Sequence, residues 1–225
     1  MEQAQGTAGI AAKKLVVFDF DGTLVDSMPG IVATARRVMH AHGWDDESLG
    51  DMRRLVGPPF PQAFSMVYGL SAEEAQRVTE EYRAIYQNLG RDGWPLFDGV
   101  EDLLRDLKAA GKLLGTASSK RLFLLERGLS TNGVLDLFDC PMAKLADHGD
   151  SKEAALARVL NTLGVDASDA VMVGDRRYDA EAAATVGVEC VGVLYAETAP
   201  RSELEEAGCA VIVDTVDELR RVLLG

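Results

Sequence analysis

Short β-branched runs alternate along this chain with segments of helical periodicity, the pattern of a parallel sheet covered by helices on both faces. Strands are expected at Lys14–Phe18, Leu113–Ala117, Ala170–Val173, Cys190–Val193 and Ala210–Val213, with a weaker one near Leu137–Cys140. Helix start signals stand between them: Ser71 with Glu74, Asp98 with Glu101, and Thr215 with Glu218. At that spacing a side-chain oxygen and an acidic partner three residues on satisfy the backbone amides that a helix start leaves open. Gly111, Gly164, Gly187 and Gly208 each follow an amphipathic run and precede a strand, where a helix ends most easily. Right-handed crossovers between parallel strands then set the hand of the sheet.

One segment breaks the rhythm. Roughly 90 residues separate the first two strands, far more than one crossover helix needs. They read as helices over Pro29–His42, Asp45–Leu55, Phe60–Tyr68 and Ser71–Gln87, punctuated by the stiff turn Gly57, Pro58, Pro59, Phe60, Pro61. The expected architecture is an α/β, Rossmann-like parallel sheet built from residues 13–26 and 97–225, with a helical cap inserted at 27–96 after the first strand. Residues 1–12 carry Glu2, Gln3, Gln5 and two glycines, with neither a basic start nor a long apolar stretch, and read as a loose tail.

Composition narrows the class. Apolar residues at 47% and charged residues at 26% are ordinary globular usage. No run approaches the ~20 apolar residues that span a bilayer, so a soluble protein is expected. Cys140, Cys190 and Cys209 are odd in number and lack the paired spacing of a zinc site, so buried free thiols in a reducing cytoplasm are expected. The net charge of −13 disfavours nucleic acid and anionic membrane surfaces as partners. It would also repel a phosphate-bearing substrate, so a site for one must reverse the sign locally with a metal ion and a few cations.

The chemistry concentrates in Phe18, Asp19, Phe20, Asp21, Gly22, Thr23, Leu24, Val25, Asp26. An apolar strand runs into two carboxylates spaced by two, which places both on one side at the strand's carboxyl end, where open parallel sheets bind ligands. Gly22 lets the chain turn sharply, and Thr23 offers a hydroxyl and an amide to anchor the turn. Two aspartates this close repel unless a cation lies between them or one is protonated. A divalent ion would neutralise them, and a protonated Asp21 would have a proton to give to a leaving alkoxide. The plainer alternative is that Asp19 and Asp21 merely flank a turn.

This nonapeptide resembles the first motif of the haloacid dehalogenase superfamily, its phosphoglycolate phosphatase-like branch in particular. The resemblance extends from about Lys13 to the end of the chain, because three further motifs follow in order. Thr116, Ala117, Ser118, Ser119, Lys120 is similar to the second. It implies that the Ser118 hydroxyl holds the transferring phosphoryl group and Ser119 adds a backbone amide, within a residue or two; taken alone, the stretch is a polar turn before a helix.

Lys152 opens a helix over Lys152–Leu163 after the turn His148, Gly149, Asp150, Ser151, and matches the third motif, a lysine that grips phosphate and offsets the carboxylates. A lysine in a first turn opposes the helix dipole, which hints at an anionic partner. Glu153 stands where the family often has proline, and a solvated surface lysine is the alternative. The run Val171 to Asp179 resembles the fourth motif: Gly174 precedes Asp175, the implied magnesium ligand, and Asp179 is its supporting carboxylate. Asp175 capping the next helix is the other reading.

The resemblance implies a magnesium-dependent phosphatase acting on a small phosphate ester, with Asp19 as nucleophile, Asp21 as acid and then base, and Mg2+ held by Asp19, the Asp21 main-chain carbonyl and Asp175. Phosphoglycolate is the first substrate to try by family likeness. A dehalogenase would lack the second aspartate, and a signalling receiver domain orders its acidic motifs differently. A phosphomutase differs only in keeping water from the acyl phosphate, and a catalytically silent binding protein would share the fold. A monomer and a homodimer are equally compatible with the sequence. His40 and His42, two apart on a helix, face different ways and make poor joint ligands; His148 reads as a surface loop residue. Arg53 and Arg54 fall in the cap, where packing is the first expectation, and Arg176 and Arg177 either brace the site or lie exposed.

Overall fold

The computed structural model describes residues 9–56, 60–145 and 150–225. The chain divides into two compact units, one formed by the residues up to Asp26 and from Leu96 onward, the other by Ser27–Pro95.

In the first unit, β1 (Leu15–Phe18), β2 (Leu113–Arg121), β3 (Cys140–Lys144), β4 (Ala170–Gly174), β5 (Glu189–Val193) and β6 (Val211–Val213) make one sheet in the order β3-β2-β1-β4-β5-β6. Every pairing is parallel. Central β1 pairs Leu15 with Leu113 on one side and with Ala170 on the other, and all four of its residues are buried. The uninterrupted apolar run Leu15 to Phe18 is what a strand covered on both faces requires. From β1 the chain moves outward through β2 and β3, then returns to β4 on the opposite side, so strand order reverses at β1. Ligand crevices open at the carboxyl ends of strands at such a point.

Leu15 and Val17 share one buried cluster with Leu156, Val159 and Leu160 of α7 (Lys152–Leu163) and with Ala180 and Ala183 of α8 (Arg177–Val186). By strand alternation Val16 and Phe18 face the other way. Two further helices, α5 (Val100–Ala109) and α10 (Val216–Leu224), pack on β2 and β6 outside that cluster. Short helices α6 (Leu122–Thr131) and α9 (Arg201–Glu206) complete the unit. The second unit holds α1 (Met28–Ala41), α2 (Asp46–Leu49), α3 (Gln62–Tyr68) and α4 (Ala72–Tyr86). An aromatic column runs through it, with Phe60 4.8 Å from both Phe64 and Tyr82, Tyr82 stacked on Tyr86 at 5.0 Å, and Trp94 5.4 Å beyond. Among the described residues no helix is long and apolar enough to cross a membrane.

Local chemistry explains where boundaries differ from expectation. Ser71 and Glu74 form a reciprocal cap as read, but Asp98 caps nothing: α5 starts after Gly99, whose φ of 83° only glycine adopts readily. The stretch Asp45–Leu55 breaks at Gly50 into α2 and a 3-10 turn, Met52–Leu55, each begun by its own aspartate, Asp45 accepting from the Ser48 amide and Asp51 from the Arg53 amide. The weak strand lies later than expected; Leu135–Leu137 is a 3-10 turn and β3 starts at Cys140. Pro141 is tolerated there because β3 is an edge strand.

The expected loose tail is not loose over residues 9–12. Ile10 is 1% exposed in a helical turn, and Lys112 Nζ donates to the carbonyls of Ala11 at 2.5 Å and Lys13 at 2.6 Å. Burying one such side chain stabilises by about 1.5–3 kcal/mol. Cys140 and Cys190 are buried, Cys209 is partly so, and all three are free. The Gly57–Pro59 part of the proline turn, and His148 with Gly149, lie outside the described residues.

Candidate active site

Two strand tips and one helix start deliver the acidic side chains. Asp19 follows β1 and Asp175 follows β4, whose neighbouring registers are locked by Phe18 opposite Val173 and by the Asp19 amide donating to the Val173 carbonyl at 2.9 Å. Asp179 reaches the same place from the first turn of α8. One oxygen each from Asp19, Asp175 and Asp179 lie within 4.8 Å of one another, and all three residues are buried. Two glycines make this convergence sterically feasible. A β-carbon on Gly22 would fall 2.2 Å from Asp175 Oδ2, and one on Gly174 would fall 2.1 Å from Asp179 Cγ.

Lys152, at the start of α7, sends its ammonium into the cluster, 2.8 Å from Asp19 Oδ2 and 2.5 Å from Asp179 Oδ1. Its side chain is only 8% exposed, so the surface-lysine reading fails. Burial alone would lower its pKa, but the carboxylates of Asp179 and Asp19 outweigh burial and hold it above the ordinary lysine value. Asp179 Oδ2 accepts from the Arg176 amide at 3.0 Å, so this residue, not Asp175, closes the helix start.

One ammonium among three buried carboxylates leaves two formal negative charges. Burial first, then the neighbouring Asp179 and Asp19, push the Asp175 carboxyl up to about 8. Asp179 is pushed up to about 6 by burial, with Lys152 opposing and Asp19 adding. Asp19 Oδ1 is buried with no hydrogen-bond partner among the described residues. A divalent cation fits this donor set on two counts: it would match the residual charge, and all the donors are hard oxygens.

Asp21 does not point into the cluster with Asp19. Its carboxylate is gripped by Lys120 at 2.8 and 2.9 Å. The second motif resolves into separate tasks. Thr116 Oγ1 donates to the Met142 carbonyl at 2.8 Å and accepts from the Met142 amide at 2.9 Å, which commits it to β3. Ser118 is buried at the tip of β2, where the register with β3 shifts between Ser118 and Arg121, and Ser119 is exposed.

A family model described as haloacid dehalogenase-like hydrolase matches residues 16–193. This chain belongs to that family. The Tyrosine-protein kinase PtkA of Mycobacterium tuberculosis is 36% identical across 93% of this chain and 72% of its own length. A 5'-nucleotidase of Pseudomonas aeruginosa is 29% identical across 80% of this chain and 82% of its own length. The crystal structure of a predicted phosphatase from Clostridium acetobutylicum matches with a TM-score of 0.82 at 31% identity, covering 94% of this chain and 98% of that one.

Several residues around this haloacid dehalogenase-like site had no role in the sequence reading. Lys120 was visible in the second motif, but nothing in its spacing told that it would turn back to Asp21. Thr198 Oγ1 donates to Asp175 Oδ2 at 2.5 Å, and the Tyr195 hydroxyl donates to the Thr23 carbonyl at 2.7 Å. Both come from the loop after β5, which carries no motif. Arg176 braces the same wall through Glu203 at 2.9 Å, whereas Arg177 pairs with Glu181 on the surface. His40 and His42 engage Asp46 and Glu81 separately, as two histidines facing different ways should. In the helical unit Arg53 is paired with Asp51 at 2.9 Å.

Proposed function

We propose that this haloacid dehalogenase-like enzyme is a magnesium-dependent phosphatase that cleaves small phosphate monoesters through an aspartyl-phosphate on Asp19. The observation that carries the reading is the state of Asp19. One oxygen is held by Lys152 and the other is buried without a partner among the described residues, beside two further carboxylates from different elements. A carboxylate fixed by one oxygen presents the other in a defined direction, which is what in-line attack on phosphorus needs.

In this scheme Asp19 attacks the phosphorus and the ester oxygen departs, taking a proton from Asp21. Water then attacks the same phosphorus, gives its proton to Asp21, and frees Asp19 and inorganic phosphate. The Ser118 hydroxyl, the Ser119 amide and Lys152 hold the phosphoryl oxygens through both steps. Asp19, Asp175 and the Asp21 main-chain carbonyl, supported by Asp179, would hold Mg2+, which neutralises charge on the phosphoryl group. The unit Ser27–Pro95 is assigned as the cap that selects the leaving group, with phosphoglycolate the first compound to try.

The test is phosphate release from a panel of phosphorylated metabolites, with magnesium and with EDTA, ranked by kcat/KM. Absence of magnesium-dependent release from every compound, including p-nitrophenyl phosphate, would refute the proposal. One observation favours a second reading: the relative at 36% identity is named a tyrosine kinase. On that reading the acyl phosphate is passed to a hydroxyl acceptor, and labelled phosphate from ATP would appear on a tyrosine instead of in solution. A phosphomutase would instead convert a sugar monophosphate to its isomer without net phosphate release.

A further inference from the structure

We propose that Lys120 is a positioning residue for Asp21, fixing the carboxylate that serves as acid and base; the inference rests on that reading of Asp21. The Lys120 ammonium lies 2.8 Å from Asp21 Oδ1 and 2.9 Å from Oδ2, a symmetric grip that fixes both the reach and the rotation of the carboxylate. Lys120 is itself held. Its side chain is 7% exposed, whereas the Asp21 side chain is 34% exposed, so the buried partner directs the more exposed one.

Two features of the sequence build the grip. Ser119 and Lys120 fall in the register shift of β2, outside the ladder with β3, and Ser118 Oγ accepts from the Lys120 amide at 3.2 Å. The ammonium also lies 5.2 Å from the centroid of the Phe20 ring, an attraction that needs the ring to stay still. Phe20 is fully buried, and Gly128 makes room for it: a β-carbon on Gly128 would fall 2.4 Å from the ring. Lys120 thus ties the hydroxyl at the tip of β2 to the proton-transfer group after β1. It acts through Asp21 and not on the reacting atoms.

The experiment measures kcat/KM of wild type, Lys120→Met, Asp21→Asn and the double variant on phenyl phosphate and p-nitrophenyl phosphate. These esters have nearly the same shape, but phenolate leaves less easily and depends more on a donated proton. Lys120→Met should reduce turnover of phenyl phosphate by roughly tenfold to a hundredfold, and that of p-nitrophenyl phosphate by only about threefold. In the Asp21→Asn background the same substitution should add less than about twofold, since residues that act as a unit do not add.

Equal losses on both esters, or full additivity, would overturn the inference. A rise in KM with unchanged kcat that persists in Asp21→Asn would also overturn it, making Lys120 a direct substrate contact. If Asp21→Asn itself shows no dependence on the leaving group, the acid–base reading of Asp21 fails and takes this inference with it. Should Lys120→Met melt early, Lys120→Gln, which keeps a polar tip, serves for the same comparison.

Discussion

Gly22 leaves no room for a side chain against Asp175: the nearest approach of an added β-carbon to Oδ2 would be 2.2 Å, with the Asp175 carboxyl carbon at 2.7 Å. The turn after β1 and the tip of β4 are therefore fitted to each other at the resolution of one methyl group. Gly22 also has a φ of 76°, which an L-residue adopts at a cost of about 1–2 kcal/mol. Gly22→Ala is expected to lower stability by at least that much and to push Asp175 out of the cluster. Urea melts with and without magnesium check both parts. The wild type should be stabilised by magnesium and the variant should lose most of that stabilisation; an equal magnesium effect in both would contradict the fit.

Asp19→Asn should abolish turnover while raising the melting temperature of the metal-free protein. The asparagine carbonyl still accepts from Lys152, but one of three crowded carboxylates loses its charge. Thermal melts in EDTA measure the stability effect, and phosphate release measures the other. A variant that is both stable and still turning over substrate would remove Asp19 from the nucleophile's place.

The strands and their order of appearance could be read from the chain because a buried parallel strand is an apolar run, and β1, β4 and β5 are such runs. The glycines at 22 and 174 and the carboxylates beside them were equally readable, because strand ends deliver them to one edge. What stayed hidden was the set of contacts made by residues whose neighbours in sequence do not predict their direction. Lys120 turns toward β1 because the ladder with β3 slips, and a slip leaves no mark in composition. Thr198 sits in a loop with no periodicity, one residue after Glu197, whose φ of 53° is unusual for a residue with a side chain. Asp98 misled because its spacing to Glu101 is right for a cap, yet Gly99 takes the cap position.

Asp150 joins the end of β3 to the start of α7. It accepts from the Leu145 amide at 2.8 Å, from the Ser151 amide at 3.0 Å, and from Arg158 at 2.9 and 3.0 Å. The Arg158 guanidinium, then the Leu145 amide, hold its carboxyl down at about 2. A depressed folded-state value means that the ionised form stabilises the fold at pH values above its ordinary range and that this contribution is lost as pH falls through about 2. Asp150→Asn should therefore lower stability by about 1–3 kcal/mol near neutrality. The gap between the two proteins should close on acidification from about pH 4 to pH 2. Thermal melts across that range decide it; a gap that stays constant with pH would show that charge at Asp150 is not what holds the junction.

Thr198 supplies the last of the contacts on Asp175, donating to Oδ2 while Thr23 Oγ1 stands 3.4 Å from Oδ1. A hydroxyl that fixes the direction of a ligand oxygen acts on metal affinity more than on chemistry once the metal is bound. Replacing such outer partners typically weakens metal binding by about 10- to 100-fold. Thr198→Val, which keeps the volume and removes the donor, is thus expected to raise the magnesium concentration for half-maximal activity by about that factor. Turnover at saturating magnesium should remain near the wild-type value. Asp175→Asn should not be rescued by any practical concentration, because it removes a charge and not only an orientation. Magnesium titrations of phosphate release, with parallel melting curves, separate the two. An unchanged midpoint in Thr198→Val would mean that the rigid tip of β4 alone orients Asp175, and the loop after β5 would then be packing and nothing more.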